Sequence, residues 1–424
     1  MEEKFLYHIW DEGHLKPDLK SLCGKNVRII YQGQFNTARG PDFKNAIIEI
    51  AGEQKRGDIE IHLKTMDWQA HNHHEDLYYN KVILHVVLEH NGRHDATLSE
   101  DGNLIPILAL KEQLSDDIDK LLTKRETPSR RSVYCDLLSA ISNDNLITIL
   151  YTAGLRRFKA KVKRFNALLS LYSFQQLFYE GLFEALGYDK NKMNTLQIAQ
   201  SLPLSKLKEY KAEGMTAKDL AALYTVGSGL LKQRSAIIPQ EISDELLKLY
   251  EAQPWQGKAL PIDWQLFRIR PQNHPLKRLI YIAPTIWEHL DNNILQYVIS
   301  TLEAYKTDPK EHYKAYRKLW QEQELFKGLP LKLGKTVQDN IYLNILLPVL
   351  SLWEEKLGAD ARQIHQLYSA FPGLQENYII RFMARYMNPQ QEKLVNSKAI
   401  YQQGILDIYH RFCNWHLCEE CLKA

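Results

Sequence analysis

Residues 57–64 alternate with period two, placing Ile59, Ile61 and Leu63 on one parity and Asp58, Glu60, His62 and Lys64 on the other. Successive side chains of a strand point to opposite faces, so this segment predicts an apolar face backed by two carboxylates, an imidazole and an ammonium. A half-exposed antiparallel strand commonly turns such a face to water, and the alternation alone fits that equally well. Further strands are expected at 27–32, 45–50, 82–90 and 104–110, with a turn at 51–57 closing a hairpin and a short helix at 5–10. Residues 67–80 lose the strand period and are rich in His and Asp, which predicts a loop carrying a short helix. The sum is a small α/β domain of four or five strands with one or two helices.

From residue 111 onward helical spacing dominates. Leu155, Phe158, Val162, Phe165 and Leu169 step by three and four and form one apolar helix face. The stretch 127–132, with Pro128 and two arginines, reads as a linker. The expected division is therefore an α/β domain at 1–126 and a mainly α-helical region at 127–424. Pro254, Pro261, Pro271 and Pro275 would either divide that region near 251–275 or mark a loop within it. The most apolar run, 341–353, contains Asn344 and Pro348 and falls well short of the ~20 residues that cross a bilayer. It predicts a buried, kinked helix and no membrane partner.

Composition narrows the class. Hydrophobic residues at 45% and charged residues at 25% are ordinary globular values, which excludes extended disorder. The first residues carry acids and no apolar stretch behind a basic cluster, so no secretory signal is expected. Five cysteines, three of them crowded near the end, suit a reducing compartment or a metal better than paired disulfides, and the expected location is the cytoplasm. A net charge of +3 means that a nucleic-acid partner has to be argued from local patches.

Gly40-Pro41-Asp42-Phe43 places an acid directly after a rigid turn, 18 positions before Glu60. At these residues the chain resembles the PD-(D/E)XK nuclease superfamily, with Pro41-Asp42 matching the first half of the motif and Glu60 the acidic position of the second. The resemblance implies a restriction-endonuclease-like mixed sheet and a Mg²⁺ or Mn²⁺ ion held by Asp42 and Glu60 for phosphodiester hydrolysis. It departs from the family where His62 stands in place of the lysine; that role could pass to His62 itself or to Lys64, or the chain could be an inactive relative that only binds. An acid from the first helix sometimes joins such sites, and Glu2, Glu3 and Glu12 are the candidates. The whole chain also resembles a bacterial family of unassigned function. The residues that carry this are Gly40 to Phe43, Asp58 to His62, Asp67-Trp68 with His71 and His73, Tyr79-Asn80, Ile83 to Val87, Arg270 to Asn273, and the terminal cysteines.

Seven of the 15 histidines lie between His62 and His94, a density that invites zinc, although the spacing is not the two-histidine helical pattern of zinc hydrolases. His85 shares its parity with Ile83 and Val87; a supporting role behind the site is expected for it and for His71, His73 and Asn80, with Trp68 as packing. Arg156, Arg157, Lys159, Lys161, Lys163 and Arg164 form a cationic run that could contact a phosphate backbone, or simply be solvated. Cys413, Cys418 and Cys421 lack one ligand for a zinc or Fe-S site, which His416, Cys135 or Cys23 could complete. The expected function is a metal-dependent nuclease or nuclease-derived protein. The alternatives are a noncatalytic nucleic-acid-binding or scaffold protein, and a zinc hydrolase built on His71 and His73.

Overall fold

In a computed structural model of the chain, the described residues are 3–115, 135, 138, 140–188, 190–231, 237–252, 260, 262–415 and 418–421. They divide into two compact units, Met1–Leu137 with Ile408–Ala424, and Leu138–Asp407. The expected linker at 127–132 lies outside the described residues, as do 253–259 and 261 within the proline-rich stretch. The C-terminal segment returns to the N-terminal unit, where Arg411 makes a two-bond ion pair with Glu12, at 3.0 and 2.7 Å. Local periodicity cannot reveal such a closure.

The N-terminal unit is a mixed sheet of β1 (Leu19–Lys20), β2 (Asn26–Tyr31), β3 (Gln34–Phe35), β4 (Phe43–Ile50), β5 (Glu53–Lys64), β6 (Val82–Glu89), β7 (Ala96–Leu98) and β8 (Leu104–Ala109). The spatial order is β1-β2-β4-β5-β6-β8-β7, with β3 on β4. The β2-β4-β5 meander is antiparallel, whereas β5-β6 and β6-β8 are parallel. All five expected strand regions are present, as β2, β4, β5, β6 and β8, and β5 begins earlier than its apolar pattern indicates. Ala51 and Gly52, both at positive φ, close β4 onto β5 as a two-residue hairpin. The Glu53–Arg56 arm is charged and carries no apolar signal, so the sequence reads it as turn.

Helix α1 (Glu3–Glu12) packs Phe5, Leu6, Ile9 and Trp10 against Phe43, Ile59, Ile61, Leu84 and Val86, all fully or nearly fully buried. This is the apolar parity of β5. The polar parity is covered as well: α2 (Asp67–Ala70) and two 3-10 turns, His73–Glu75 and Leu77–Tyr79, bring Trp68 and Tyr79 onto it beside Val82 and Ile105. The wet face that alternation allowed is thus a buried one. Asp58 and Glu60 are 5% exposed and His62 1%.

The second unit is mainly helical. Its apolar run is an α-helix, Lys335–Ile341, a π-turn, Tyr342–Leu346, and an α-helix, Leu347–Lys356. Pro348 has no N–H to give to the carbonyl four residues back, which accounts for the local widening. Among the described residues no helix is long and apolar enough to cross a membrane.

Candidate metal centre

Three elements converge on one end of β5. The turn before β4 is held by Asn36, whose Nδ2 donates to the carbonyls of Ala38 and Pro41 at 3.0 and 2.9 Å. Gly40 sits at φ +99°, a conformation a side chain would strain, and Pro41 then launches Asp42. Asp42 and Glu60 clasp each other: the Asp42 N–H donates to Glu60 Oε2 at 3.1 Å, and the Ile61 N–H donates to Asp42 Oδ2 at 2.9 Å. Glu3, on the first turn of α1, takes the Tyr7 hydroxyl at 2.7 Å, and its charge reaches both carboxylates. Of the three acids expected from the first helix, Glu3 is the one placed at the site; Glu12 pairs with Arg411, and Glu2 lies outside the described residues.

Burial raises both acids. Asp42 is pushed up to about 8 by desolvation and by Glu60, against the pull of the Ile61 N–H. Glu60 is pushed up to about 8 chiefly by desolvation, with Glu3 adding and the Asp42 backbone and Lys44 opposing. Glu60 is buried and Asp42 and Glu3 are half-buried beside it, so the three carboxyl groups repel one another unless protons or a cation compensate them.

The ammonium at this site belongs to Lys44. Lys44 Nζ lies 3.1 Å from Asp58 Oδ2, and Asp58 Oδ1 accepts the Asn45 N–H at 3.0 Å. Asn45 at φ +58° forms a bulge that shifts the β4-β5 register between Phe43 and Ala46, and the bulge carries Lys44 to Asp58. Lys64 does not take this part. It ends β5 exposed, opposite Glu89, whose carboxyl is held low chiefly by its hydrogen bond to Lys111, with the charge of Lys64 adding a little. Sequence parity pointed to Lys64 and missed Lys44 because a bulge is invisible to a period-two reading.

The imidazoles gather on the same side. His85 is the β6 partner of Glu60 across the parallel pair. His62 Nδ1 is 2.9 Å from His85 Nε2, and His62 Nε2 is 3.2 Å from His71 Nδ1. Glu60 Oε1 lies 3.4 Å from His62 Nε2 and 3.2 Å from His73 Nε2. His62, His71 and His73 each offer a ring nitrogen within 4.8 Å of the others. Asn72 at φ +59° bends the chain so that His71 and His73, two apart, approach one point. Trp68 and Tyr79 wall the cluster, with Tyr79 stacked on His73 at 3.8 Å and Trp68 tilted on His85 at 5.1 Å. Burial lowers His62 to about 2 and His85 to about 3, so both rings are neutral near pH 7 and offer lone pairs. Asn80 Nδ2 donates to Glu100 at 2.8 Å.

The cationic run is mostly spent inside the helical unit. On the helix Asn143–Leu168, Arg156 pairs with Asp407 at 2.6 Å, Arg157 donates to Gln403 at 2.9 Å, Lys161 binds Asn344 and Gln403, and Arg164 pairs with Glu184 at 3.0 Å. Lys159 and Lys163 are the two left exposed. Of the six cations expected to face a phosphate backbone, four are thus engaged by polar groups within the helical unit. At the C-terminus, burial and the neighbouring Cys421, Cys135 and Cys418 push the Cys413 thiol up to about 12. Of the fourth ligands considered, Cys135 is thus beside the terminal three, Cys23 contacts Ser21 at 3.2 Å, and His416 lies outside the described residues.

No curated protein and no solved structure matches the chain. A family model described as protein of unknown function (DUF2851) matches residues 3–377, a span that takes in the whole carboxylate and histidine site and most of the helical unit. The chain belongs to the DUF2851 family.

Proposed function

We propose that this protein is a divalent-cation-dependent phosphodiester hydrolase of nuclease type, working at Asp42 and Glu60. The observation that carries the reading is the meeting of half-buried Glu3 and Asp42 with buried Glu60, from three separate segments, where like charges call for protons or a cation. The order helix, three-strand antiparallel meander, short helical crossover and parallel strand also supports the nuclease-like resemblance, with Asp42 just before β4 and Glu60 within β5.

A Mg²⁺ or Mn²⁺ ion there would supply Lewis acidity to the phosphate and acidify water. In the hydrolysis, a water oxygen attacks phosphorus, the bond to the leaving oxygen breaks, and that oxygen takes up a proton. Lys44, whose charge reaches Glu60, would offset charge on the phosphate and so fills the part of the missing motif lysine. Tyr7, bonded to Glu3 and in contact with Asp42, holds the acids in orientation. A zinc ion or Fe-S cluster on Cys135, Cys413, Cys418 and Cys421 would be structural in this reading.

The test is cleavage of labelled single- and double-stranded DNA and RNA with Mg²⁺ or Mn²⁺. Cleavage by the parent protein, lost in Asp42→Asn and Glu60→Gln and weakened in Lys44→Met, is expected. Binding without cleavage under every condition would reject hydrolysis in favour of a noncatalytic nucleic-acid-binding or scaffold role.

A further inference from the structure

We infer that the centre holds two cations, the second being a zinc-class transition metal bound by His62, His71 and His73 and sharing Glu60 with the carboxylate pocket. The sharing rests on the proposed reading of Asp42 and Glu60; the imidazole site does not. The two oxygens of Glu60 face different ways. Oε2 accepts the Asp42 N–H, on the side of the acids. Oε1 lies among the rings, 3.2 Å from His73 Nε2 and 3.4 Å from His62 Nε2.

These spacings match one ion. Four donors at 2.0 to 2.1 Å around a tetrahedral centre sit about 3.3 Å from each other. The three distances among His62 Nε2, His71 Nδ1, His73 Nε2 and Glu60 Oε1 given by the structure are 3.2, 3.2 and 3.4 Å. Without an ion the arrangement is poorly satisfied: His73 Nε2 is buried with no hydrogen-bond partner, although it sits against Glu60. Two ring nitrogens facing at 3.2 Å likewise need something between them or a proton on one.

The rings behind are set for ligation. If His62 Nδ1–H donates to His85 Nε2, His85 Nδ1–H donates to Thr97 Oγ1 at 3.4 Å, and Thr97 donates to the Ile105 carbonyl at 3.5 Å. That sequence of bonds leaves the His62 Nε2 lone pair toward Glu60 and His71. A ligating histidine whose other nitrogen is fixed by a buried partner is the usual support of a metal site. Three imidazoles and one carboxylate select zinc-class metals, whereas Asp42, Glu3 and Glu60 Oε2 suit a harder ion. Pairs of this kind about 3.5 to 4 Å apart serve phosphoryl and acyl hydrolases.

The probe is Co²⁺, whose four-coordinate complexes absorb strongly in the visible. The full-length chain should carry serine at all five cysteines, Cys23, Cys135, Cys413, Cys418 and Cys421, so that thiolates contribute nothing. One Co²⁺ per chain with the four-coordinate spectrum is expected. His71→Ala, at an exposed position, and His73→Phe, which keeps a ring on Tyr79, should each weaken Co²⁺ by at least ~10-fold. Asp42→Asn should abolish Mn²⁺ binding, read by paramagnetic resonance, and keep the Co²⁺ spectrum. Co²⁺ binding unaffected in both histidine variants overturns the inference, and so does loss of Co²⁺ and Mn²⁺ together in Asp42→Asn. An intact, histidine-dependent Co²⁺ site in a protein that binds no Mn²⁺ and cleaves nothing would reject the hydrolase reading and the shared Glu60, but not the imidazole site.

Discussion

Replacing Glu184 with Gln should destabilise the helical unit by roughly 3 kcal/mol at pH 7. Glu184 lies on the helix Phe174–Leu186 with its side chain 8% exposed, and it accepts Arg164 Nη1 at 3.0 Å and Lys192 Nζ at 2.9 Å. Burial alone would raise its carboxyl, but Arg164 and Lys192 outweigh burial and hold it at about 2 instead of 4.5. At about 1.4 kcal/mol per pH unit, that difference gives the magnitude. The sign follows from the direction: a depressed acid stabilises above its unfolded value of 4.5 and loses that contribution as pH falls through about 2. Urea unfolding of parent and variant at pH 7 and pH 3 measures both. A gap near 3 kcal/mol that narrows at pH 3 is expected. A gap below about 1 kcal/mol, or one that ignores pH, would refute the claim that these cations are committed internally. It would also reopen the helix as a phosphate-binding face.

Lys161→Met should leave the helical unit as stable or more stable, since it removes an ammonium held below its ordinary value by burial and by Arg157, Arg164 and Lys192; thermal unfolding checks this. His274 should make the same unit acid-sensitive. Burial, Lys277 and Arg278 lower it to about 4, so stability present above its unfolded value of 6.5 is lost as pH falls toward 4, when protonation also ends its acceptance of the Leu276 N–H; His274→Asn should flatten that part of the unfolding curve. Gly57→Ala should cost about 1 to 3 kcal/mol in urea, because a β-carbon there would meet Ile83 Cγ2 at 2.4 Å and the Lys81 carbonyl at 2.7 Å.

The centre was legible where chemistry follows local period. Asp58, Glu60 and His62 share a strand face that can be read directly, and His85 joins them because its strand is the parallel neighbour. Asp42 was marked by its Gly-Pro turn. Glu3 and Lys44 were not legible in the same way. The first depends on how α1 docks, and the second on a bulge at Asn45. The strands β1 and β3, two residues each, have too few positions to alternate. Cys135 joins the terminal thiols only because the chain end returns to the N-terminal unit.

The cation pocket itself is tested most directly by a crystal grown or soaked with Mn²⁺ and measured at the manganese absorption edge. An anomalous peak is expected at about 2.2 Å from carboxylate oxygens of both Asp42 and Glu60, absent from a Glu60→Gln crystal. A manganese-loaded crystal with no peak between those two residues would contradict it.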